Sequence, residues 1–155
     1  MSGARDIGSR ILTRTNLVAA AGEAAVNGAA VDITALTGNP RTMRSVVAVQ
    51  FNADSGDSLN VSAIKLQSSA DSAFTTPVDR VTAANVVLTG TTGDSNVDYR
   101  GQVSLDYDLQ NHKAAYPTHK WIRTTATPTR SDTTNTAGAI AAVHIYSGLG
   151  SEPQT

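Results

Sequence analysis

The sequence predicts an all-β protein: a single antiparallel β-sandwich or jelly-roll-like domain with an extended N-terminal arm. The main observation is the segment 97–109, in which apolar and polar side chains alternate with almost no exception. A period of two is typical of a strand with one buried and one exposed face, whereas helices repeat every three to four residues. In addition, clusters of Gly, Asn, Asp and Ser separate several short apolar segments, with no convincing helix among them. Short strands joined by polar turns favour a sandwich.

The size and composition are those of one soluble domain. A chain of 155 residues lies near the usual domain size and can bury a genuine core. Its formal net charge of −1 and its charged fraction of 16% provide no electrostatic attraction for nucleic acid. The absence of cysteine excludes disulfides, thiolate metal sites and thiol nucleophiles. No apolar run approaches the roughly 20 residues that a membrane span needs, so we expect no membrane partner and no export signal.

The chain divides into an N-terminal arm (residues 1–30), a sandwich domain (31–150) and a short C-terminal tail (151–155). The arm is rich in small side chains and shows little periodicity. We expect it to be extended and to order against a partner or a neighbouring subunit. A short helix over 17–26 and a first strand packed on the domain are the alternatives. The candidate interface residues are two of its arginines and four of its large apolar residues: Arg10, Ile11, Leu12, Arg14, Leu17 and Val18.

The first half of the domain predicts three strands. Residues 31–36 alternate in polarity and lead into a Gly-Asn-Pro turn, and the valine-rich segment 45–51 follows. A loop dense in Asn, Asp, Ser and Gly covers 52–58. In the third strand, 59–67, the apolar positions change from odd to even numbers, which predicts burial on both faces or a bulge near Ala63.

The second half predicts the longer strands. Phe74 is the one large apolar residue of a polar stretch, so we expect it to anchor a loop, and 86–88 form a short strand. In the alternating segment, Gly101 replaces an apolar residue and suggests a bend or bulge. The strand over 119–127 has large apolar residues on both faces. The segment 138–146 is apolar at odd and even positions, which places it in the middle of a sheet.

Candidate catalytic and metal-binding residues are few. His112 and His119 lie in or beside one loop, too far apart for a compact pair of ligands on a strand, and solvation is their expected role. His144 stands among apolar residues of the predicted central strand, so we expect a hydrogen-bonded core or interface histidine rather than a base. The sequence has no motif for a serine nucleophile, a phosphate loop or a dinucleotide site.

Acidic and aromatic features have competing interpretations. The loop 52–60 superficially resembles a calcium loop but lacks the final glutamate, so a turn is preferred. Asp98, Asp106 and Asp108 share the exposed face of the long strand, where paired carboxylates could act as acid and base. Solvated charges that discourage unwanted pairing are the preferred account. Trp121 could stack on a sugar or a nucleic acid, although a core role is preferred. We therefore expect no enzyme, no cofactor and no metal.

Four segments carry a resemblance to a known family. They are VSAIKLQSSADSAFTTP (61–77), YRGQV (99–103), WIRTTATP (121–128) and TNTAGAIAAVHIYSG (134–148). In this order they are similar to strand and loop motifs of small structural proteins in tailed bacteriophages, and the similarity covers residues 45–148. Trp121 stands where the pattern usually has tyrosine, and the loop before it, 111–119, is longer.

The resemblance implies a virion component of the head or neck, above all a capsid decoration (cement) protein. Its partners would be the major capsid protein and further copies of itself, on the capsid exterior. A homotrimer is favoured, because three weak contacts over a local three-fold act together. Such a protein is made in the bacterial host cytoplasm, has no catalytic residues, and binds neither a membrane nor, directly, nucleic acid. In this interpretation the arm adds a strand to a capsid edge or runs between subunits.

Two other functions remain open. One is a different structural subunit of the virion, in the tail tube, at the head–tail joint or associated with a fibre. The other is a carbohydrate-binding β-sandwich, with Trp121 and exposed tyrosines as the stacking surface. An aromatic content of 5% argues weakly against the second.

Overall fold

The computed structural model describes residues 10–18, 25–36, 38–131 and 138–148, with the backbone alone for 10–18. Over these residues the chain forms ten strands and one helix. The elements in chain order are β1 (Arg10–Val18), β2 (Val26–Asn27), β3 (Val31–Asp32), β4 (Thr42–Ala53), β5 (Ser58–Ser69), β6 (Val78–Thr82), β7 (Val86–Thr89), β8 (Val97–Asp108), α1 (Leu109–Ala115), β9 (Trp121–Arg130) and β10 (Gly138–Ser147).

The strands form two antiparallel sheets that pack against each other. Sheet A has four strands in the order β1-β10-β4-β8. Sheet B has six strands: β2-β9-β5-β6 in that order, with β3 also paired with β9 and β7 with β5. All of these pairs are antiparallel. The predicted β-sandwich is confirmed, and β10 lies between two neighbours, as its apolar pattern predicts.

One hydrophobic core fills the space between the sheets. Along β4 every second residue from Met43 to Ala53 is buried. Along β8 the odd-numbered residues from Tyr99 to Tyr107 are buried or half-buried and the even-numbered ones are exposed, as predicted, whereas Val97 at the start is 38% exposed. Burial of apolar surface contributes about 25 cal/mol per Å² and is the main stabilising effect. Large, fully buried side chains come from both sheets: Phe51, Ile64, Leu66, Ile122, Ile140 and Tyr146.

Two local predictions are confirmed. The register of β5 against β9 breaks between Ser62 and Lys65, and Ala63 has a φ of 47°, so a bulge lies where the apolar parity changes. Beyond the bulge, the even-numbered residues of β5 face the core. Phe74 is 5% exposed and anchors the loop between β5 and β6.

Of the two alternatives predicted at Gly101, a bend or a bulge, the bulge is absent. β4 and β8 pair without a break from Thr42–Asp108 to Ala53–Val97. A Cβ atom at position 101 would lie 2.6 Å from Cγ1 of Val86 and 3.2 Å from Cδ2 of Leu88. Glycine is therefore required because β7, in the opposite sheet, packs closely against this point of β8.

The helix α1 replaces a predicted loop. It begins after Asp108, whose carboxylate accepts a hydrogen bond from the backbone N of Asn111 at 2.8 Å. Leu109 and His112 are buried on one side of the helix. The cap and the two buried side chains stabilise this helix. With seven residues, the helix is too short for its apolar residues to show a periodic pattern in the sequence.

The N-terminal region differs in part from the predicted arm. Arg10–Val18 pair with β10, from Arg10–Tyr146 to Val18–Ala139, which is the alternative of a first strand. The strand predicted over 31–36 ends at Asp32, whose carboxylate accepts hydrogen bonds from the backbone and side chain of Thr34. Val26–Asn27, also within the predicted arm, pair with β9. Residues 1–9 and 19–24 of the arm and the tail 151–155 lie outside the described residues.

Candidate functional site

The outer face of sheet A has a partly exposed apolar centre. In the register of the sheet, Val46 lies between Val143 on β10 and Ser104 on β8. One pair further along, Ala48 lies between Ala141 and Gln102. The side chains at the centre of this face are small or aliphatic and half-buried or exposed: Val46, Ala48, Ala141, Val143 and Ile145. We call these five residues the apolar centre of sheet A.

Charged side chains along β4 and β8 border the apolar centre. Arg44 donates from Nε and Nη2 to the two carboxylate oxygens of Asp106, at 2.6 and 2.9 Å. This bidentate hydrogen bond lowers the pKa of Asp106 and raises that of Arg44. At the other end of the strands, Asp98 accepts a hydrogen bond from the side-chain amide of Asn52 at 3.0 Å. The charges at this border are thus largely paired within the sheet.

A cavity of about 580 Å³ lies at one end of this face. The ion pair of Arg44 and Asp106 lines it, together with Ile145 of the apolar centre. The hydroxyl groups of Thr42 and Ser147 hydrogen-bond across β4 and β10 at 2.6 Å on its rim. Its polar groups are paired with one another, so the cavity is a depression in a surface rather than a site with converging reactive groups.

The six interface residues predicted from sequence lie on the strand that flanks this face. Arg10, Ile11, Leu12, Arg14, Leu17 and Val18 all belong to β1, the edge strand next to β10. The pairing of β1 with β10 is irregular between Ile11 and Thr13, which leaves Leu12 outside the regular register. The structure therefore places the backbone of all six beside the apolar centre.

Sequence reasoning missed the apolar centre itself. The signal was present, because residues 138–146 are apolar at odd and even positions. That pattern was attributed to a central position in the sheet, which is correct, but a central strand of a two-layer sandwich has one face in the core and the other outside. The apolar residues of the outer face therefore remain without a covering layer in the part of the chain that the structure describes.

The outer face of sheet B carries several paired polar side chains, together with Val87 of β7, which is 60% exposed. Asp79 accepts hydrogen bonds from Lys65 Nζ at 2.6 Å and Gln67 Nε2 at 2.8 Å. Arg123 donates to Gln67 and lies over the ring of Phe74, with its guanidinium carbon 4.2 Å from the ring centroid. Trp121 is half-buried at the end of β9. The two faces of the sandwich thus differ in chemistry.

The predicted solvation of His112 is wrong. This side chain is 2% exposed, and its Nε2 donates to the backbone oxygen of His119 at 2.8 Å. Because a carbonyl oxygen only accepts, Nδ1 is left to accept from the hydroxyl of Tyr107 at 2.7 Å. Burial lowers the pKa of His112. The neutral His112 therefore links α1 with β8 and with the loop that precedes β9.

His119 belongs to a second polar group that lies against this one. Its Nδ1 is 3.1 Å from Oγ of Ser68 and 3.2 Å from Nη2 of Arg80. Arg80 also donates from Nε to Ser68 Oγ at 2.6 Å and stacks on Tyr116. Ser68 is 0% exposed, so its hydroxyl cannot reach a substrate, and the group links β5, β6 and the loop between α1 and β9.

The remaining candidates have structural surroundings. His144 is buried in the core, as predicted, and its Nε2 hydrogen-bonds Thr124 Oγ1 at 2.8 Å. In the acidic loop, the carboxylate of Asp57 accepts a hydrogen bond from Asp54 N, as in a turn, and that of Asp54 accepts one from Asn96 N in the loop before β8. Among the described residues, no group of three His, Cys, Asp or Glu side chains could hold a metal ion.

Comparison with known proteins adds no assignment. No protein-family model matches the chain, and no curated protein matches it. The helix found in the described ranges lacks the length and hydrophobicity that crossing a membrane requires.

Proposed function

We propose that this protein is a structural component of a virion that binds the assembled capsid and stabilises it, as decoration proteins do. The observation that carries the proposal is the outer face of sheet A, where an apolar centre is bordered by the Arg44–Asp106 ion pair and by a few further charged side chains. A surface of this kind suits another protein better than a small molecule, since it is broad and has no enclosed pocket. The resemblance of β5, β8, β9 and β10 to phage structural proteins supports the same function.

The proposed mechanism is stabilisation by selective binding. A protein that binds only the assembled shell shifts the equilibrium toward assembly, because the bound copies must leave before the shell can come apart. Sheet A would supply the contact surface, and β1 would bring the predicted interface residues to the edge of that surface. Several copies bound to neighbouring shell subunits increase the effective affinity without new contacts.

A pair of matched variants tests the docking face. Val143→Glu places a charge in the apolar centre, whereas Thr127→Glu places the same charge on the outer face of sheet B, at a similarly half-buried position. The probe is a set of heads assembled from the major capsid protein encoded in the same genome. We expect Val143→Glu to reduce co-sedimentation with heads by roughly tenfold or more, since a buried unpaired charge is costly, and Thr127→Glu to bind normally.

Circular dichroism of both variants controls for folding. Equal binding of two folded variants would argue against sheet A as the docking face, and absence of binding by the unmodified protein would contradict the proposed function. Immunogold labelling of virus particles separates the related alternative: label over the whole head favours decoration, whereas label at one vertex or along the tail favours another virion subunit. Binding to a glycan array that disappears in Trp121→Ala would instead support a carbohydrate-binding module.

A further inference from the structure

The free edge of β8 is a long, regular strand edge. Over its twelve residues β8 pairs with β4 on one side without a register break. On the other side, β8 pairs with no strand in the part of the chain that the structure describes, and no backbone group of a described turn or loop hydrogen-bonds to it. Such an edge is a template for adding another strand.

Natural proteins protect edges of this kind with proline, lysine, a bulge or an inward-pointing charge. β8 has none of these four features in its sequence, VDYRGQVSLDYD. Its exposed, even-numbered side carries Arg100 beside the three carboxylates that are expected to discourage pairing, so a partner strand that places an arginine opposite a carboxylate is not repelled. The inward side leaves Tyr99, Val103 and Tyr107 only half-buried. A strand added beside β8 would satisfy the backbone groups and cover these three side chains.

The sequence of β8 is complementary to itself when it is reversed about Val103. In an antiparallel pair of two β8 strands centred there, Tyr99 lies opposite Tyr107 and Arg100 opposite Asp106. Gly101 lies opposite Leu105, which places a small residue against a large one, and Gln102 lies opposite Ser104. The pairing is between residues of the same parity, so inward side chains meet inward ones.

The charges favour this register. Arg100 has no ion-pair partner among the described residues, whereas Asp106 already binds Arg44 on one side. Arg100 of a second copy would complete a group in which one carboxylate lies between two guanidinium groups. The like charges Asp98 and Asp108 meet only at the ends, where each accepts a hydrogen bond within its own chain.

We propose that two copies of this protein associate through their β8 edges, centred on Val103, to form one continuous sheet. The two-fold axis is perpendicular to the sheet, so the apolar centres of both copies lie on the same side. This association does not depend on the proposed capsid binding, and it uses a different part of sheet A from β1.

Cysteine cross-linking tests the register directly, because the natural chain has no cysteine. Gln102→Cys and Ser104→Cys are prepared separately, mixed in solution without any capsid, and oxidised mildly. Residues directly opposite in an antiparallel pair have Cα atoms about 4.5–5.5 Å apart, within the range of a disulfide, whereas residues displaced by two positions are too far apart. We expect the mixture to form a disulfide-linked dimer of about twice the monomer mass, and each variant alone to form little.

The control is Ala48→Cys, which is also exposed on the outer face of sheet A but lies one strand away from the edge, paired with Gln102 in the same chain. Cross-linking of Ala48→Cys to the same extent would indicate random collision and overturn the proposal. Equal cross-linking of Gln102→Cys or Ser104→Cys with itself would indicate a register slipped by two residues and would overturn the pairing centred on Val103.

Sedimentation velocity over a range of concentrations provides a second test. Arg100→Glu converts both Arg–Asp pairs of the dimer into like-charge pairs, so we expect self-association to weaken by roughly tenfold or more. Lys120→Glu makes the same change of net charge at an exposed residue outside β8 and should leave the association unchanged. A protein that remains monomeric at all concentrations, or equal effects of the two variants, would contradict the proposal.

Discussion

His144 connects the two sheets through hydroxyl groups in the core. Its Nε2 hydrogen-bonds Thr124 of sheet B at 2.8 Å, and Thr124 in turn hydrogen-bonds Ser45 of sheet A at 2.8 Å. Its Nδ1 faces the hydroxyl of Tyr146 at 3.4 Å. Burial lowers the pKa of His144 from 6.5 to about 4, so the ring is neutral in the folded protein near pH 7.

This burial predicts that acid destabilises the fold. Between pH 6.5 and about 4 the unfolded chain protonates His144 while the folded chain does not, so the free energy of unfolding falls as the pH falls. The expected loss is about 1.4 kcal/mol per pH unit in this window, and roughly 3 kcal/mol in all. His112, whose pKa is also lowered by burial, adds to the loss in the same direction. Urea unfolding at pH 7, 6 and 5 measures the slope.

The variant His144→Gln separates the contribution of this residue. Glutamine can still hydrogen-bond Thr124 but does not titrate, so the pH dependence should become shallower, although stability at pH 7 is lower. A slope identical to that of the unmodified protein would rule out His144 as the source.

Gly101 predicts a second effect at the scale of single residues. We expect Gly101→Ala to lower the free energy of unfolding by about 1–3 kcal/mol, because the new Cβ would lie 2.6 Å from Cγ1 of Val86. Val86→Ala removes that methyl group. In a double-mutant cycle measured by chemical denaturation, the two substitutions should together cost less than the sum of their separate effects. Strict additivity would show that the contact with Val86 is not the reason why alanine destabilises the protein at position 101.

At the scale of elements, α1 depends on its first residue and on its buried side. Asp108→Ala removes the side chain that accepts a hydrogen bond from Asn111 N, so we expect a loss of about 1 kcal/mol in the free energy of unfolding. Asp108→Asn keeps an acceptor at the same place and should retain most of that stability. If both variants lose the same amount, the capping hydrogen bond is not the cause.

The elements that sequence analysis predicted well are those with a local pattern. β8 alternates over its full length, and β5 reveals its bulge at Ala63 through a change of parity. α1 and the five-residue β6 were missed because their stability comes from contacts with distant segments. For α1 these contacts include the backbone N of Gln110, which donates to Arg41 O at 3.0 Å, and Lys113 Nζ, which donates to Asn39 Oδ1 at 2.6 Å.

At the scale of the whole molecule, one continuous core predicts one cooperative unfolding transition. The core cluster includes residues of both sheets, for example Val47 and Phe51 of β4 and Leu59 and Ile122 of sheet B. Trp121, the single tryptophan, lies on β9 and reports on sheet B by fluorescence, whereas far-ultraviolet circular dichroism reports on both sheets. The two signals should give the same midpoint in urea. Separate midpoints would show that the sheets unfold independently.

The candidate site illustrates the limit of sequence analysis at this scale. The sequence predicted interface residues on β1, and the structure places that strand at the edge of sheet A. It did not predict the apolar centre, because Val46 and Val143 are far apart in the chain and become neighbours only when β4 pairs with β10.

By itself, the sequence determined the all-β class, most of the long strands, the bulge in β5 and the central position of β10. Each of these follows from hydrophobic alternation or turn composition within a few residues, which local backbone geometry imposes. Only the tertiary structure decided the role of Gly101, the helix α1, the burial of His112 and which side of sheet A is left uncovered. These features depend on which strands pair and stack, and therefore on contacts between residues that the chain order keeps apart.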